Sequence, residues 1–352
     1  MSGIDFLLDL NRRNAEAFCA PTTTLERELH LSKHPTRILF IKCMDGRLHG
    51  PVITETPPGL ITPMRNGGGR FRLGWPAFKQ FAINFRLYAT SQKAPALVVT
   101  TYHYSRGDTH RGCAAFEYDT AAARASSSRL KKEFDEVFGQ GNALYTIQCG
   151  VETDLDALIL HGENDEVVDL SEITDTSHSN LLRILGRLYP NMPKQIMTDF
   201  MPLVTGNIAH IAKIRTSGRP ITDIVHKEWV LAVGRGLDWF HEINMALIVG
   251  IFDPELHRPI QTAGRVIKSN LDEGRINGQK PVLLTSAIYR KDVGEDMPAA
   301  KVKARWLMEF ALDKLREHSE TRELVPRLNL LTTIVNGDTR RMEVLARYDV
   351  TT

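Results

Sequence analysis

Three short apolar runs with almost no polar alternation constrain this chain most: Thr36–Lys42 (TRILFIK), Ala96–Tyr102 (ALVVTTY) and Ala143–Cys149 (ALYTIQC). A strand with one wet face alternates polar with apolar residues, so runs like these predict strands buried on both faces. Helical segments lie between and before them. Residues 3–30 place Ile4, Leu7, Leu8, Leu10, Ala15 and Phe18 near helical spacing, and Trp75–Thr90 and Ala114–Phe138 read the same way. Pro57-Pro58-Gly59 marks a turn before a strand-like Leu60–Met64 and a loop at Arg65–Gly69. Strands alternating with helices imply right-handed crossovers and a parallel sheet, which is an α/β fold. Ligands of such sheets bind beyond the carboxyl ends of the strands.

The second half echoes the first. Lys280–Tyr289 (KPVLLTSAIY) resembles Ala94–His103, Leu330–Gly337 (LLTTIVNG) resembles Ala143–Gly150, and Glu228–Gly234 (EWVLAVG) resembles Arg37–Cys43. The offsets are 186 (281 − 95), 187 (337 − 150) and 191 (234 − 43), in unbroken order. This predicts two tandem α/β units with parallel-rich sheets. The expected divisions are a helical segment at 1–35, a first unit at 36–175 and a second at 176–352. In the second copy Gly234 takes the place of Cys43 and no cysteine follows Cys149, so that copy is expected to be degenerate.

Composition narrows the functional classes. The formal net charge is +2, with 42% hydrophobic and 24% charged residues, and no block of five like charges occurs. A globular chain without nucleic-acid or anionic-membrane partners is expected. Four cysteines in 352 residues make no disulfide framework, which suits a reducing compartment. Asp5 and Asp9 interrupt the apolar N-terminus, so it does not read as a signal peptide. The apolar stretch at Met245–Phe252 is too short to span a bilayer, which needs about 18 residues. The expectation is a soluble, cytoplasmic protein.

Chemistry gathers at the ends of two of the strands. Cys43, Asp45 and Arg47 follow the first, in IKCMDGRLHG, while His103, His110 and Cys113 follow the second. Two thiolates and an imidazole form a zinc set that leaves one position open, the pattern of a catalytic rather than a structural site. Zinc in such a set lowers the pKa of a bound water toward neutrality. A free Asp45 could fill the open position, and Arg47 is the natural restraint, because a guanidinium holds a carboxylate through two parallel hydrogen bonds. Asp45 and Arg47 are therefore candidates for a catalytic role beside the metal. Cys19 and Cys149 read as buried small hydrophobes. The glycines at 67–69 lack the Lys-Ser/Thr of a phosphate loop and read as a tight turn. His241-Glu242 begins like a zincin helix, but position 245 is Met.

Cys-x-Asp-x-Arg after one strand, with His and Cys after another, resembles the β-class carbonic anhydrases. So does Pro57–Gly69 (PPGLITPMRNGGG). The closer resemblance is to the carboxysome shell subclass, through CMDGRL, TYHYSRGDTHRGCAAF (Thr101–Phe116) and GVETDLDAL (Gly150–Leu158). It implies one zinc per chain, reversible hydration of carbon dioxide to bicarbonate, and an internal pseudo-dimer that further associates as a homo-oligomer. The large N-terminal domain of the shell enzymes is absent from this sequence, so carboxysome association is not expected to follow from it. His110 would complete the His-x-x-Cys spacing of most β-class enzymes. Strand geometry and the shell subclass favour His103 as the ligand, with His110 as the alternative. Two other functions share the fold and metal set: hydrolysis of carbon disulfide or carbonyl sulfide, and a non-enzymatic bicarbonate-binding or assembly module.

Overall fold

The computed structural model describes residues 2–350 except 142, 277, 279 and 291–295. Among the described residues there are two mixed sheets in an α/β arrangement. The first contains β1 (Arg37–Cys43), β2 (Ile61–Asn66), β3 (Ala96–Tyr104), β4 (Leu144–Glu152), β5 (Ala157–His161) and β6 (Val167–Asp169), in the order β2-β1-β3-β4-β5-β6. The second contains β7 (Val230–Gly234), β8 (Ala246–Val249), β9 (Val282–Tyr289), β10 (Asn329–Asn336) and β11 (Met342–Tyr348), in the order β8-β7-β9-β10-β11. Position by position the orders agree as far as the fifth strand. The first four strands of each sheet are parallel, and β5 and β11 each run antiparallel to their neighbour.

The helices are α1 (Gly3–Cys19), α2 (Pro21–Lys33), α3 (Gly50–Ile53), α4 (Pro76–Ser91), α5 (Thr120–Phe138), α6 (His178–Leu188), α7 (Lys194–Ser217), α8 (Ile221–Ile224), α9 (His257–Asp272) and α10 (Met297–Glu317). α4 and α5 make the crossovers into β3 and β4, as α9 and α10 do into β9 and β10. None of the described helices is long and apolar enough to cross a membrane. Leu97, Val98 and Val99 of β3, and Leu283 and Leu284 of β9, are wholly buried, as expected of strands covered on both faces.

Strand register shows where the two copies differ in length. Ile38 is level with Ile61 and Leu97, 23 and 59 residues on, whereas Val230 is level with Ala246 and Val282, 16 and 52 on. Both intervals shrink by seven, so the shortening lies wholly between the first two strands, where only the first copy carries α3. With β3 and β9 held at an offset of 186, Ile41 rather than Cys43 is level with Gly234. The place of Cys43 then falls to Gly236. The seven-residue shortening therefore moves the counterpart of Cys43 two residues on from Gly234.

The chain forms two compact units, each drawn from discontinuous stretches. One comprises Met1–Thr24, Met44–Arg47 and Val225–Thr352; the other comprises Leu25–Cys43 and Leu48–Ile224. The expected boundary at 175/176 thus has α6 and α7 on the side of the first sheet. Buried polar anchors account for this. Asn207 of α7 accepts from the Leu158 amide (2.9 Å) and donates to the carbonyls of Ile53 and Asp156 (both 2.8 Å). In the other unit Asn11 of α1 accepts from the Met342 amide and donates to the Arg340 carbonyl, both at 2.9 Å. Asp5 of the same helix pairs with Arg347 at 2.6 Å. α1 thereby holds the start of β11, taking the Met342 amide.

Four local expectations are corrected. The helix expected over 3–30 is two helices, because Ala20 turns to ψ 136° before Pro21, which disfavours a helical predecessor. The helix expected from Ala114 begins at Thr120: Glu117 and Tyr118 take positive φ (51° and 66°) and Asp119 caps the Ala122 amide. Arg65 and Asn66 belong to β2 rather than to a loop. Cys149 is buried as expected, but Cys19, at the end of α1, is exposed.

Candidate metal centre

Cys43 is the last residue of β1, and His103 lies one residue inside the end of the adjacent β3, so parallel pairing brings both to the same edge of the sheet. Cys113 returns to that edge after a loop and a single 3-10 turn at Thr109–Arg111. All three side chains are buried. Their ligand atoms lie within 4.8 Å of one another, and the two sulfurs are 3.8 Å apart. Two thiolates each about 2.3 Å from a tetrahedral zinc are separated by about 3.8 Å, so this donor set fits zinc in both chemistry and spacing. The cysteines are free thiols. His110 is exposed on the 3-10 turn, its ring edge-on to Tyr118 at 5.3 Å, and is not part of the cluster.

The glycine turn supports the first thiol. The Gly68 amide donates to Cys43 Sγ at 3.3 Å, a bond that orients a thiolate ligand. Gly68 has φ +65°, and a Cβ there would sit 2.4 Å from the Phe116 ring; at Gly69 (φ +63°) a Cβ would meet the backbone of Lys42 and Cys43. Only glycine serves a turn laid this closely on β1. Arg70 closes the turn from outside, with its guanidinium 4.2 Å from the Phe116 ring centroid and a hydrogen bond to the Ala115 carbonyl. Beside Cys43, Lys42 and Arg65 both donate to the Leu48 carbonyl at 2.7 Å. Burial, with help from the Arg65 charge, pushes the Lys42 ammonium pKa well below its ordinary value.

The loop that carries Cys113 is held by two carboxylates that the sequence reading treated only as part of a motif. Asp154 accepts from Ser105 Oγ (2.8 Å) and the Gly107 amide (2.7 Å). Glu152 accepts from the amides of Arg106 (3.2 Å), Asp154 (3.0 Å) and Leu155 (3.1 Å). Deeper in the same unit the Tyr102 hydroxyl lies 2.9 Å from Nε2 of buried His161.

Asp45 and Arg47 sit in the other unit, where Met44–Arg47 runs beside β8: the Ile248 amide donates to the Met44 carbonyl (2.9 Å) and the Asn244 amide to the Gly46 carbonyl (2.8 Å). The guanidinium forks onto Asp45 through Nε–Oδ1 (3.0 Å) and Nη2–Oδ2 (2.6 Å), and the Arg47 amide adds a bond of 2.9 Å to Oδ1. Both side chains are buried. His226 and Glu228, which the sequence reading missed, complete this network. Arg47 Nη2 is 3.0 Å from His226 Nε2, and His226 Nδ1 is 3.0 Å from Glu228 Oε2. Glu228 also accepts from the Gly46 amide at 3.2 Å. Burial pushes the Glu228 carboxyl up, but His226, through its charge and hydrogen bond, and Arg47 outweigh it, so the net shift is downward. Asp45, His226 and Glu228 have the composition of a metal set. The guanidinium bonded to two of them makes this a hydrogen-bond network instead.

Residues 82–182 match the family model described as Carboxysome Shell Carbonic Anhydrase, catalytic domain. This span includes His103, Cys113 and the Gly150–Leu158 motif, while Cys43, Asp45 and Arg47 precede it. A solved structure of the beta-carbonic anhydrase CcaA is similar at 16% sequence identity, covering 44% of this chain and 87% of that one, with a TM-score of 0.32. No curated protein matches the chain.

Proposed function

We propose that this chain, with a carboxysome shell carbonic anhydrase match over residues 82–182, catalyses reversible hydration of carbon dioxide to bicarbonate with one zinc held by Cys43, His103 and Cys113. The observation that supports this best is the buried pair of thiols at a zinc-compatible 3.8 Å with an imidazole beside them. Zinc held there would supply the Lewis acidity that lets a water attack carbon dioxide near neutral pH.

The remaining work falls to this chain's own residues. Cys43 and Cys113, as thiolates, offset the dication, and the Gly68 amide holds the Cys43 sulfur in orientation. Arg47 occupies both oxygens of Asp45, which restrains that carboxylate from serving as a fourth ligand. Asp45, two residues after Cys43 in sequence, is the group to accept a hydrogen bond from the attacking water and orient it. His226 and Glu228 fix the guanidinium in turn.

Stopped-flow hydration of carbon dioxide by zinc-loaded protein above pH 8 tests this reading. Fast turnover that a chelator abolishes is the expected result. Zinc-bound protein with no hydratase activity would overturn it, and turnover of carbon disulfide or carbonyl sulfide in that case would reassign the site to those substrates.

A further inference from the structure

Cys113 reaches Cys43 only because the loop after β3 doubles back, and its course is set by groups that touch neither thiol. Ser105 Oγ is bonded to both oxygens of Asp154 (2.8 and 3.0 Å) and also accepts from the Asp108 amide at 3.2 Å. The Gly107 amide points at Asp154 Oδ2, and a Cβ at Gly107 would sit 3.2 Å from that oxygen. Glu152, almost wholly buried, takes the Arg106 amide and the Asp154 and Leu155 amides of the β4–β5 turn. That turn is itself fixed. The Thr153 amide donates to the Tyr104 carbonyl (2.9 Å), Arg219 donates to the Thr153 carbonyl (2.9 Å) and pairs with Asp156 (2.7 Å), and Asp156 also pairs with His210 (3.0 Å). The two carboxylates thus connect a rigid turn at the end of β4 to the first three residues of the loop that ends in Cys113.

We propose that Glu152 and Asp154 are positioning residues of the metal centre, holding the Ser105–Gly112 loop so that Cys113 is preset at its distance from Cys43 and thereby setting metal affinity without ligation. The inference rests on the zinc reading of the Cys43–His103–Cys113 cluster. Partners that orient ligands in this way typically change metal affinity by about 10–100-fold when removed. Backbone amides and a serine hydroxyl are the groups held here, so the effect reaches the metal through the loop's conformational freedom. A loop free to sample many courses must be ordered each time the second thiolate binds.

The test uses the full chain, with zinc affinity measured by chelator competition and the thiolate-to-cobalt charge-transfer band recorded after cobalt substitution. Asp154→Ala, at a half-buried position, is expected to weaken zinc binding by about 10–100-fold and to diminish or shift the cobalt band, with the metal-free melting temperature unchanged. Asp154→Asn keeps one acceptor and is expected to fall between. If Asp154→Ala lowers the metal-free melting temperature, Ser105→Ala carries the same test by removing the hydroxyl that bonds Asp154 and accepts from the Asp108 amide. Parental affinity and an unaltered band in the folded variants would overturn the inference. Cys113→Ser separates the two claims. If it too binds zinc like the parent, the metal reading itself fails; if it loses zinc while the Asp154 and Ser105 variants do not, only the positioning role fails.

Discussion

The two sheets share strand order and strand direction through five strands, yet among the described residues the Cys–His–Cys cluster lies at the end of the first alone. Where the first copy has Cys43 and, between β1 and β2, the additional helix α3, the second is seven residues shorter and carries Gly236, by the register that holds β3 and β9 together. His103, two residues past Thr101 on β3, has Tyr289 as its counterpart at the same offset. Apolar strands packed on both faces are sufficient to specify this sheet. The chemistry is added in the loops at its carboxyl edge, which can be lost without loss of the fold.

Cys43→Ala should abolish stoichiometric zinc and reduce hydration to the rate without protein, whereas Gly236→Ala should leave zinc content unchanged; metal analysis of both purified proteins decides it. Arg47→Ala follows in size. It leaves the buried Asp45 carboxylate without its cation, which costs about 3–5 kcal/mol of stability. On the proposed function it would also free that carboxylate to compete for the metal, so activity should fall most at the lower end of the working pH range. Chemical denaturation and X-ray absorption of the zinc variant check the two effects. Gly68→Ala forces a Cβ into positive φ and against Phe116, and should cost about 1–3 kcal/mol with a parallel loss of zinc affinity.

The smallest effect separates the two units by acid. Burial, and then the Arg124 charge, lowers the His161 pKa to about 4 from an ordinary 6.5. The unfolded chain therefore takes up a proton between those values that the folded chain does not. Stability contributed by neutral His161 is complete above about pH 6.5 and is lost as pH falls toward 4. Glu228 in the other unit has a lowered carboxyl, so its contribution persists down to its ordinary value near 4.5 and is lost only below it. Hydrogen exchange along an acid titration should show the β3–β5 region loosening first, and His161→Gln should remove that early phase.

Much of this was legible in the sequence because it depends on short-range pattern. Unalternating apolar runs gave β1, β3 and β4 to within two or three residues, and their order gave the parallel sheet. The repeat was visible in the central strands and obscured at β2 and β8, where only short runs survive. Cys43, His103 and Cys113 could be grouped because a thiol or imidazole at a strand end is unusual, and the Asp45–Arg47 fork because a two-residue spacing permits it. Hidden were the contributions that depend on long-range closure. Nothing in HKEW marks His226 and Glu228 as partners of a guanidinium 179 residues away from that histidine. Glu152 and Asp154 stand in GVETDLDAL with no role legible there, since amides 46 and 47 residues earlier are what give them one. The slip from Gly236 to Gly234 has the same origin: pairing register, which fixes it, is a property of the sheet.

On the proposed function one copy holds the metal and the other does not. Zinc X-ray absorption on the full chain, with metal quantified per polypeptide, tests it most directly. The account predicts one zinc per chain with two sulfur ligands at about 2.3 Å and nitrogen or oxygen completing a four-coordinate shell. Two zincs per chain, or a single zinc without sulfur in its shell, would contradict it.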